Sequence, residues 1–380
     1  MPAVKSFTLH ALELPFRKPF KHAAKERWTS DSILLKCELD DGSIGFGECL
    51  PRDYVSGESR DDAYVLMEHS FLPRLIGQEF TTWQELVDFL TDCNGRAPVG
   101  WTEPGKPQTA AWAAVDLALL DAFGHSFKQP AQLSGQTQLP KAFRYSVVFS
   151  SAEGWSYLKT LLMVRLYGFR QVKLKIGAEG SVDMVRTARK VLGSGCDIRV
   201  DVNMAWDVNS ALDMMPRLAE YGVRSFEQPL MPEDIDGLAQ LVRDTGLEVM
   251  VDESLNDADS LETLIRSKAC TSLNVRISKC GGLVAAYDRC RRGLEEGLII
   301  QVGCQVGESS LLSAAQLALI ARVGERVRFG EGCFGHHLLK EDPVTPLLQF
   351  GYAGQPPCRP SGPGFGVEID RHALPLWVKR

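Results

Sequence analysis

The sequence lacks the features that mark membrane, secreted and nucleic-acid-binding proteins. No apolar run approaches the ~18 residues that a membrane-spanning helix needs. The first residues, MPAVKSFTLHALELPF, lack the apolar core of a signal peptide. The formal net charge is -6 over 380 residues, so no basic surface for nucleic acid or anionic lipid is expected. These absences predict a cytoplasmic protein with neither a nucleic-acid nor a membrane partner.

Cysteine motifs for metal binding are also missing. The ten cysteines are scattered and none forms a C-x-x-C pair, so a zinc site is not expected. Cysteines in a chain of this size without a secretory signal predict free thiols in a reducing compartment. The hydrophobic fraction of 44% and the charged fraction of 24% are those of an ordinary globular protein.

The order of predicted elements changes once along the chain. Residues 1–128 contain strands followed by helices, which predicts an α+β domain. From 129 to 355, short apolar strands alternate with helices. The strands are expected at 144–149, 171–176, 197–202, 223–228, 247–252, 271–277, 298–302 and 326–330, and the helices at 153–167, 181–192, 208–221, 235–245, 258–267, 281–295 and 309–323. This α/β pattern favours a parallel barrel over an open doubly wound sheet, because no glycine-rich phosphate loop follows its first strand.

Acidic residues stand where three consecutive predicted strands end. They are Asp201 in CDIRVDVN, Glu227 in VRSFEQP and Asp252 in LEVMVDES, with separations of 26 and 25 residues. One βα unit has about this length, so the carboxylates are expected at one height on the C-terminal face, where barrel enzymes keep their active sites. Clustered carboxylates repel one another, and a hard divalent cation with oxygen ligands, best Mg²⁺, would resolve that repulsion.

Lysines extend the same series. Lys173 and Lys175 in QVKLKIG lie one unit before Asp201, and Lys279 in NVRISKCGG lies one unit after Asp252. Alone, the Lys-x-Lys pair is typical of a solvated strand face, and an acid before ESLN is typical of a helix cap. The combination at one repeat length, always at strand ends, favours a catalytic site instead.

These motifs resemble the enolase superfamily, and within it the muconate-lactonizing-enzyme subgroup. The resemblance rests on KLKIG, FEQP, DES and SKCGG, together with GFGEC, the alanine-rich AAVDLALLDAFG and the GPGFGVEID tail. It implies a modified TIM barrel, (β/α)7β, with an α+β capping domain to which the segment 356–380 returns. It also implies a homo-oligomer that abstracts the proton α to the carboxylate of a small molecule. Mg²⁺, for which Mn²⁺ is expected to substitute, would stabilise the enediolate.

The resemblance also implies a role for each charged residue. Lys175 is the base on one face of the substrate, Lys279 is the acid/base on the other, and Lys173 mainly faces the substrate carboxylate. Because a nearby ammonium and desolvation both lower the pKa of a lysine, Lys173 is expected to favour the neutral form of Lys175. Asn203, on the same strand face as Asp201, is expected to support the metal ligands.

Substrate contacts are expected from two cap loops, near 17–28 and 49–59, and from the last barrel strands. The candidate contacts are Arg52, Tyr54, Gln305 and Glu331. The segment RFGEGCFGHHLL lacks the Asp-x-Asp that dipeptide epimerases of the subgroup carry, which disfavours an acidic dipeptide as substrate. His336 and His337 are adjacent and cannot share a strand face, so they are expected to be structural.

Three functions stay open at this point. The first is an isomerase: a racemase or epimerase of an amino-acid derivative, or a muconate-type cycloisomerase. The second is a lyase, similar to o-succinylbenzoate synthase or to another dehydratase. The third is a non-catalytic binding descendant, which the complete set of lysines and carboxylates argues against. A racemase needs two proton-transferring lysines, whereas a cycloisomerase or a syn dehydratase needs one.

Overall fold

The computed structural model describes residues 1–22, 25–133, 135, 137–150, 154–177, 181–370, 374 and 378. Its N-terminal part is an antiparallel sheet in which β2 lies between β1 and β3, followed by helices. The elements of this part are β1 (Val4–His22), β2 (Lys25–Leu39), β3 (Ile44–Cys49), α1 (Asp53–Ser56), α2 (Arg60–Leu66), a π-helical turn (Met67–Phe71), α3 (Leu72–Leu75), α4 (Trp83–Cys93) and α5 (Thr109–Ser126). The alanine-rich α5 is buried from Thr109 to Gly124 and packs against β3.

The second part is an eight-stranded parallel sheet whose strands are neighbours in chain order. Its elements are β4 (Val147–Ser150), α6 (Gly154–Leu166), β5 (Gln171–Lys175), α7 (Ser181–Leu192), β6 (Asp197–Asp201), α8 (Val208–Ala219), β7 (Ser225–Glu227), α9 (Ile235–Thr245), β8 (Glu248–Val251), α10 (Ala258–Arg266), β9 (Ser272–Val275), α11 (Ile277–Cys280), α12 (Leu283–Glu295), β10 (Ile299–Val302), α13 (Ser310–Val323) and β11 (Val327–Gly330). A parallel bridge between Tyr145 and Gly330 joins the two edges. Each predicted barrel strand overlaps an observed one, and the (β/α)7β architecture is confirmed.

The connection after β9 differs from the prediction. The sequence predicts one helix at 281–295, but α11 and α12 are separate, and Gly281 and Gly282 between them have φ of 90° and 109°. A Cβ atom on Gly281 would lie 2.2 Å from the Gly95 carbonyl oxygen, so only glycine allows the cap backbone to approach this closely. Lys279 therefore lies on a one-turn helix beside the cap and not on a strand.

Buried carboxylates of the cap accept hydrogen bonds at the N-termini of two barrel helices. Asp116 Oδ1 on α5 accepts a hydrogen bond of 2.7 Å from Leu283 N, the first residue of α12. Glu48 Oε2 on β3 accepts one of 2.5 Å from Ser309 Oγ at the start of α13. Such bonds satisfy amide and hydroxyl groups at helix N-termini, where negative charge is favourable, and they fix the cap on the barrel.

The C-terminal segment returns to the cap. Phe365 N donates to Asp121 Oδ1 on α5 at 2.8 Å, and a bridge joins Leu12 to Val378. A 3-10 turn at Gly324–Arg326 leads into β11. After β11 come 3-10 turns at Gly335–His337 and Tyr352–Gly354 and an antiparallel pair formed by β12 (Val344–Thr345) and β13 (Glu368–Ile369). The domain boundaries at 128 and 355 stay predictions, and most of 371–380 lies outside the described residues.

Two further features concern cysteines and membrane spans. All ten cysteines are free, and only one of them, Cys358, is exposed. None of the helices in the described ranges combines the length and the apolar character of a membrane span.

Candidate active site

The register of the barrel strands places the predicted site residues side by side. Lys175 pairs with Asp201, and Asp201 pairs with Glu227. Glu227 pairs with Met250, two residues before Asp252. Because the strands are parallel, their C-terminal ends bring these side chains to one end of the barrel.

The three carboxylates alternate with cationic side chains. Lys173 Nζ lies 3.3 Å from Asp201 Oδ2 and 3.0 Å from Glu227 Oε1. The Arg276 guanidinium lies 4.0 Å from Glu227 Oε1 and forms an ion pair with Asp252. Lys173 and the carboxylates are at most 3% exposed. Burial of so many charges is tolerated because each anion faces a cation.

Lys173 and Lys175 converge on one acceptor. Their Nζ atoms each lie 3.3 Å from Asp201 Oδ2, so a shared carboxylate offsets the repulsion between the two ammonium groups. Asn203 Nδ2 donates to Asp201 Oδ1 at 2.5 Å, and Asn203 Oδ1 accepts from Lys175 at 3.3 Å. Asn203 has a φ of 49°, a conformation that Asn tolerates better than most residues. It therefore orients both a predicted ligand and a predicted base.

Lys279 approaches the carboxylate row from its other end. Its Nζ donates to Asp252 Oδ1 at 3.0 Å, to the Asp252 carbonyl oxygen, and to the Asn274 carbonyl oxygen at 3.2 Å. The side chain is fully buried. Burial lowers the pKa of Lys279 to about 8, and the Arg276 guanidinium acts in the same direction.

Glu331, directly after β11, joins Lys173 to a second buried cation. Glu331 Oε2 lies 2.7 Å from Lys173 Nζ, and Glu331 Oε1 lies 2.9 Å from Arg199 Nη2. The Arg199 guanidinium also donates to Ser146 Oγ at 3.2 Å and lies 3.9 Å from the centroid of the Phe329 ring. Burial favours the neutral acid, but Lys173 and Arg199 hold the pKa of Glu331 below its ordinary value.

Lys173 is the most strongly anion-bound lysine of the site. Burial disfavours its charged form, but Glu227, Glu331 and Asp201 outweigh that effect and hold the pKa of Lys173 above its ordinary value. Lys173 therefore acts as a fixed positive charge. The electrostatic role that the family resemblance implies for Lys173 stays a prediction.

Several polar residues inside the barrel were not anticipated from the sequence. Asn274 Nδ2 donates to Glu227 Oε1 at 2.9 Å, and Gln301 Nε2 donates to Glu227 Oε2 at 3.3 Å. The unanticipated residues are Arg199, Asn274, Arg276 and Gln301. Arg199 stands two residues before Asp201, so the period of a strand already places it on the same inward face.

A cavity of about 310 Å³ is lined by Lys173 and Lys175, but not by the fully buried Lys279. Of the four candidate substrate contacts, Tyr54, Gln305 and Glu331 line this cavity, but Arg52 does not. The Arg52 guanidinium is buried and donates to the backbone carbonyl oxygens of Pro51 at 2.9 Å and Val306 at 3.4 Å. In the expected loop at 17–28, residues 23 and 24 lie outside the described residues.

The donor chemistry at the barrel end fits a hard divalent cation. In the part of the chain that the structure describes, no three Asp, Glu, His or Cys side chains form a ready-made metal cage. Asp201, Glu227 and Asp252 instead hold Lys173 and Arg276 between them. Three buried carboxylates on adjacent strands nevertheless supply the anionic oxygen donors that Mg²⁺ prefers, and their shared charge requires cations.

A capped parallel barrel with lysines on both sides of a carboxylate row defines the class of protein as enolase-like. Comparison with known families agrees with this class. Residues 158–373 match the family described as enolase C-terminal domain-like, and residues 6–135 match the mandelate racemase / muconate lactonizing enzyme N-terminal domain. The chain belongs to this family, which confirms the resemblance drawn from its motifs.

Similar proteins of known function include racemases, epimerases and cycloisomerases, which are isomerases. The chain is 31% identical over 317 residues to an N-succinyl-L-Arg/Lys racemase from Bacillus cereus, with 82% of each chain covered. It is 28% identical over 383 residues to muconate cycloisomerase 1 from Rhodococcus opacus, with 97% of this chain and 96% of the relative covered. The protein is thus an isomerase of the enolase superfamily.

Solved structures show the same fold. The crystal structure of the Bacillus cereus racemase matches with a TM-score of 0.87 and 26% identity, over 100% of this chain and 98% of that one. A dipeptide epimerase from Cytophaga hutchinsonii, complexed with Mg and the dipeptide D-Ala-L-Val, matches with a TM-score of 0.84 and 21% identity, over 99% and 98% of the two chains. The second likeness concerns the fold alone.

Proposed function

We propose that the protein catalyses Mg²⁺-dependent racemisation or epimerisation at the α-carbon of an N-acylated amino acid. The main observation in support of this proposal is that two lysines contact the row of carboxylates from opposite ends. Lys175 Nζ lies 3.3 Å from Asp201 Oδ2, and Lys279 Nζ lies 3.0 Å from Asp252 Oδ1. Inversion at carbon needs this arrangement, because one base removes the proton from one face and the conjugate acid of the other returns a proton to the opposite face.

Asp201, Glu227 and Asp252 would hold the ion, and Mn²⁺ is expected to substitute for Mg²⁺. When bound, the ion supplies positive charge for the substrate carboxylate and for the second negative charge that develops as the α-proton leaves. Lys173 adds a fixed positive charge on the same side of the barrel, and Lys175 and Lys279 move the proton. The expected homo-oligomer and the cytoplasmic location stay predictions.

The substrate class is supported by the relative named N-succinyl-L-Arg/Lys racemase, which shares 31% of its residues with this chain over the aligned region. A second candidate, muconate-type cycloisomerisation, is favoured by the match to muconate cycloisomerase 1 over 97% of the chain. In that reaction one lysine would transfer the proton and the other would act through its charge.

The proposal is tested by incubating the Mg²⁺-loaded protein in D₂O with N-acyl amino acids, dipeptides and muconolactones. Deuterium at the α-carbon with inversion supports racemisation, and exchange without inversion supports one-base chemistry. Loss of water would instead favour the lyase alternative. Absence of exchange with every carboxylate, in protein shown to bind Mg²⁺, would overturn proton abstraction for these substrates.

Variants separate the two bases. Lys175→Ala and Lys279→Ala should each abolish racemisation, whereas Lys190→Ala, an exposed lysine on α7, should not affect it. Full turnover by Lys279→Ala would show that the two-base scheme is wrong. Exchange without inversion by Lys279→Ala would assign the remaining proton transfer to Lys175.

A further inference from the structure

The cavity lined by Lys173 and Lys175 has charged and apolar parts. Its charged part comes from β5 and from the segments directly after β8 and β9, and includes Lys173, Lys175, Glu253 and Arg276. Its apolar part comes from β4 and from the segment after β11, which are neighbours where the barrel closes. Val148 pairs with Lys173 in the strand register and so faces the same side; Val148, Phe334 and Leu338 are here called the apolar wall.

The apolar wall is supported from behind by packed rings. Each of its three side chains is half-buried, so part of each remains open. The Phe334 ring centroid lies 5.7 Å from that of Phe350, which is buried. The His337 ring lies 4.5 Å from the same ring, and its Nε2 donates to the Phe350 carbonyl oxygen at 2.9 Å. The wall is therefore a supported apolar surface within a cavity.

The carboxylate that follows β11 next to the wall is already paired with protein cations. Glu331 follows β11 directly, but its two oxygens face Lys173 and Arg199 at 2.7 and 2.9 Å. The charge of Glu331 is therefore neutralised by these two protein cations, and Glu331 is not available to form an ion pair with a cationic substituent on the substrate. An ammonium or guanidinium placed against the wall would lose water without gaining Glu331 as an anionic partner, whereas an aromatic or branched aliphatic group would gain by leaving water.

We infer that the apolar wall selects a substrate that carries an uncharged, apolar substituent, and so distinguishes this protein from an enzyme for N-acylated arginine or lysine. The inference rests on the proposed racemisation of an N-acylated amino acid. Either the acyl chain or the amino-acid side chain can supply the apolar group, since both branch from the atoms next to the reacting carbon. The experiment must therefore vary them separately.

The test compares N-acetyl-L-alanine with N-benzoyl-L-alanine, which enlarges the acyl group, and with N-acetyl-L-phenylalanine, which enlarges the side chain. Nα-acetyl-L-lysine is the cationic comparison. In at least one of the two series, the aromatic compound should exceed N-acetyl-L-alanine by at least about tenfold in kcat/KM. Phe334→Ala should remove most of this gain in kcat/KM. If Phe334→Ala impairs folding, Phe334→Leu takes its place and should keep only part of the gain.

Trp155→Ala is the matched control, because Trp155 is a large aromatic residue that is 85% exposed on α6. It should leave every ratio unchanged. Binding of the same four compounds is measured by calorimetry, so that a failure of turnover is told apart from a failure of selectivity. An aromatic preference in binding without α-proton exchange supports the wall and overturns the proposed function. Equal or better use of Nα-acetyl-L-lysine, an unchanged ratio in Phe334→Ala, or no binding of any compound overturns the inference.

Discussion

Arg199 and Glu331 form a buried ion pair across the barrel interior, with Nη2 of the first 2.9 Å from Oε1 of the second. Both residues are at most 5% exposed. The other oxygen of Glu331 faces Lys173 at 2.7 Å. Arg199, on β6, therefore helps to set the position of Lys173, its register partner on β5, because both bind the same carboxylate.

Arg199→Met should destabilise the protein by about 3 kcal/mol, since removal of one member leaves an incompletely compensated buried charge. The double variant Arg199→Met/Glu331→Gln should lose less than the sum of the single variants, by at least ~1 kcal/mol. Urea unfolding of the four proteins measures both quantities. The exposed pair Arg217–Asp213, at the similar distance of 2.8 Å, gives the control: Arg217→Met should cost less than ~1 kcal/mol. Equal losses from the two arginine variants would contradict the assignment.

Asp116 should make stability depend on pH. Burial raises the pKa of Asp116 to about 7, although hydrogen bonds from Leu283 and Val284 oppose the shift. The folded state then binds more protons than the unfolded state between pH ~4 and ~7. The contribution of Asp116 to the free energy of unfolding should therefore fall as pH rises through that window, by up to about 4 kcal/mol at ~1.4 kcal/mol per pKa unit. Above the window this contribution should no longer change.

The matched measurement is thermal or urea unfolding of the wild type and Asp116→Asn from pH 4 to 8. The variant should show a flatter profile in this window, so its stability relative to wild type should rise with pH. Its loss of one hydrogen-bond acceptor should add a penalty that does not change with pH. Parallel profiles for the two proteins would show that Asp116 is not the group that titrates.

Gly281→Ala should reduce both stability and activity. The new Cβ atom would meet the Gly95 carbonyl oxygen at 2.2 Å, so α11, which carries Lys279, would have to move away from the cap. Gly297→Ala is the matched control, because Gly297 also has a positive φ, of 76°, but nothing lies within 4 Å of its added Cβ. The control should show only the backbone strain of ~1–2 kcal/mol, with turnover kept. Equal effects on turnover would show that the close contact is unimportant.

Chelation of divalent cations should abolish turnover, and Mg²⁺ or Mn²⁺ should restore it. Glu227→Gln should weaken Mn²⁺ binding, followed by electron paramagnetic resonance, by at least about tenfold, because a proposed ligand loses its charge. Glu58→Gln is the control: Glu58 is an equally buried carboxylate that accepts from Ala110 N and Ala111 N in the cap. Unchanged Mn²⁺ affinity in Glu227→Gln would remove Glu227 from the ligand set.

Much of the fold follows from local pattern. The alternation of short apolar strands with amphipathic helices predicts all eight barrel strands, and the constant spacing of acids and lysines predicts which side chains share the C-terminal end. The sequence does not predict the break between α11 and α12. Gly281 and Gly282 are needed there for close contacts with the cap, and the helical pattern of a segment does not show which other part of the chain packs against that segment. Arg52 is placed in a loop by the same local reasoning, but its guanidinium binds backbone carbonyl oxygens within the protein.

By itself, the sequence determined the order and spacing of the charged residues, because one βα unit has a nearly constant length and a strand alternates its faces. Only the tertiary structure decided how those charges are paired. Arg199 and Glu331 are 132 residues apart, and they meet because the barrel closes between its first and last strands. Closure depends on the twist and packing of all eight strands together, so no local period encodes which cation a buried carboxylate will face.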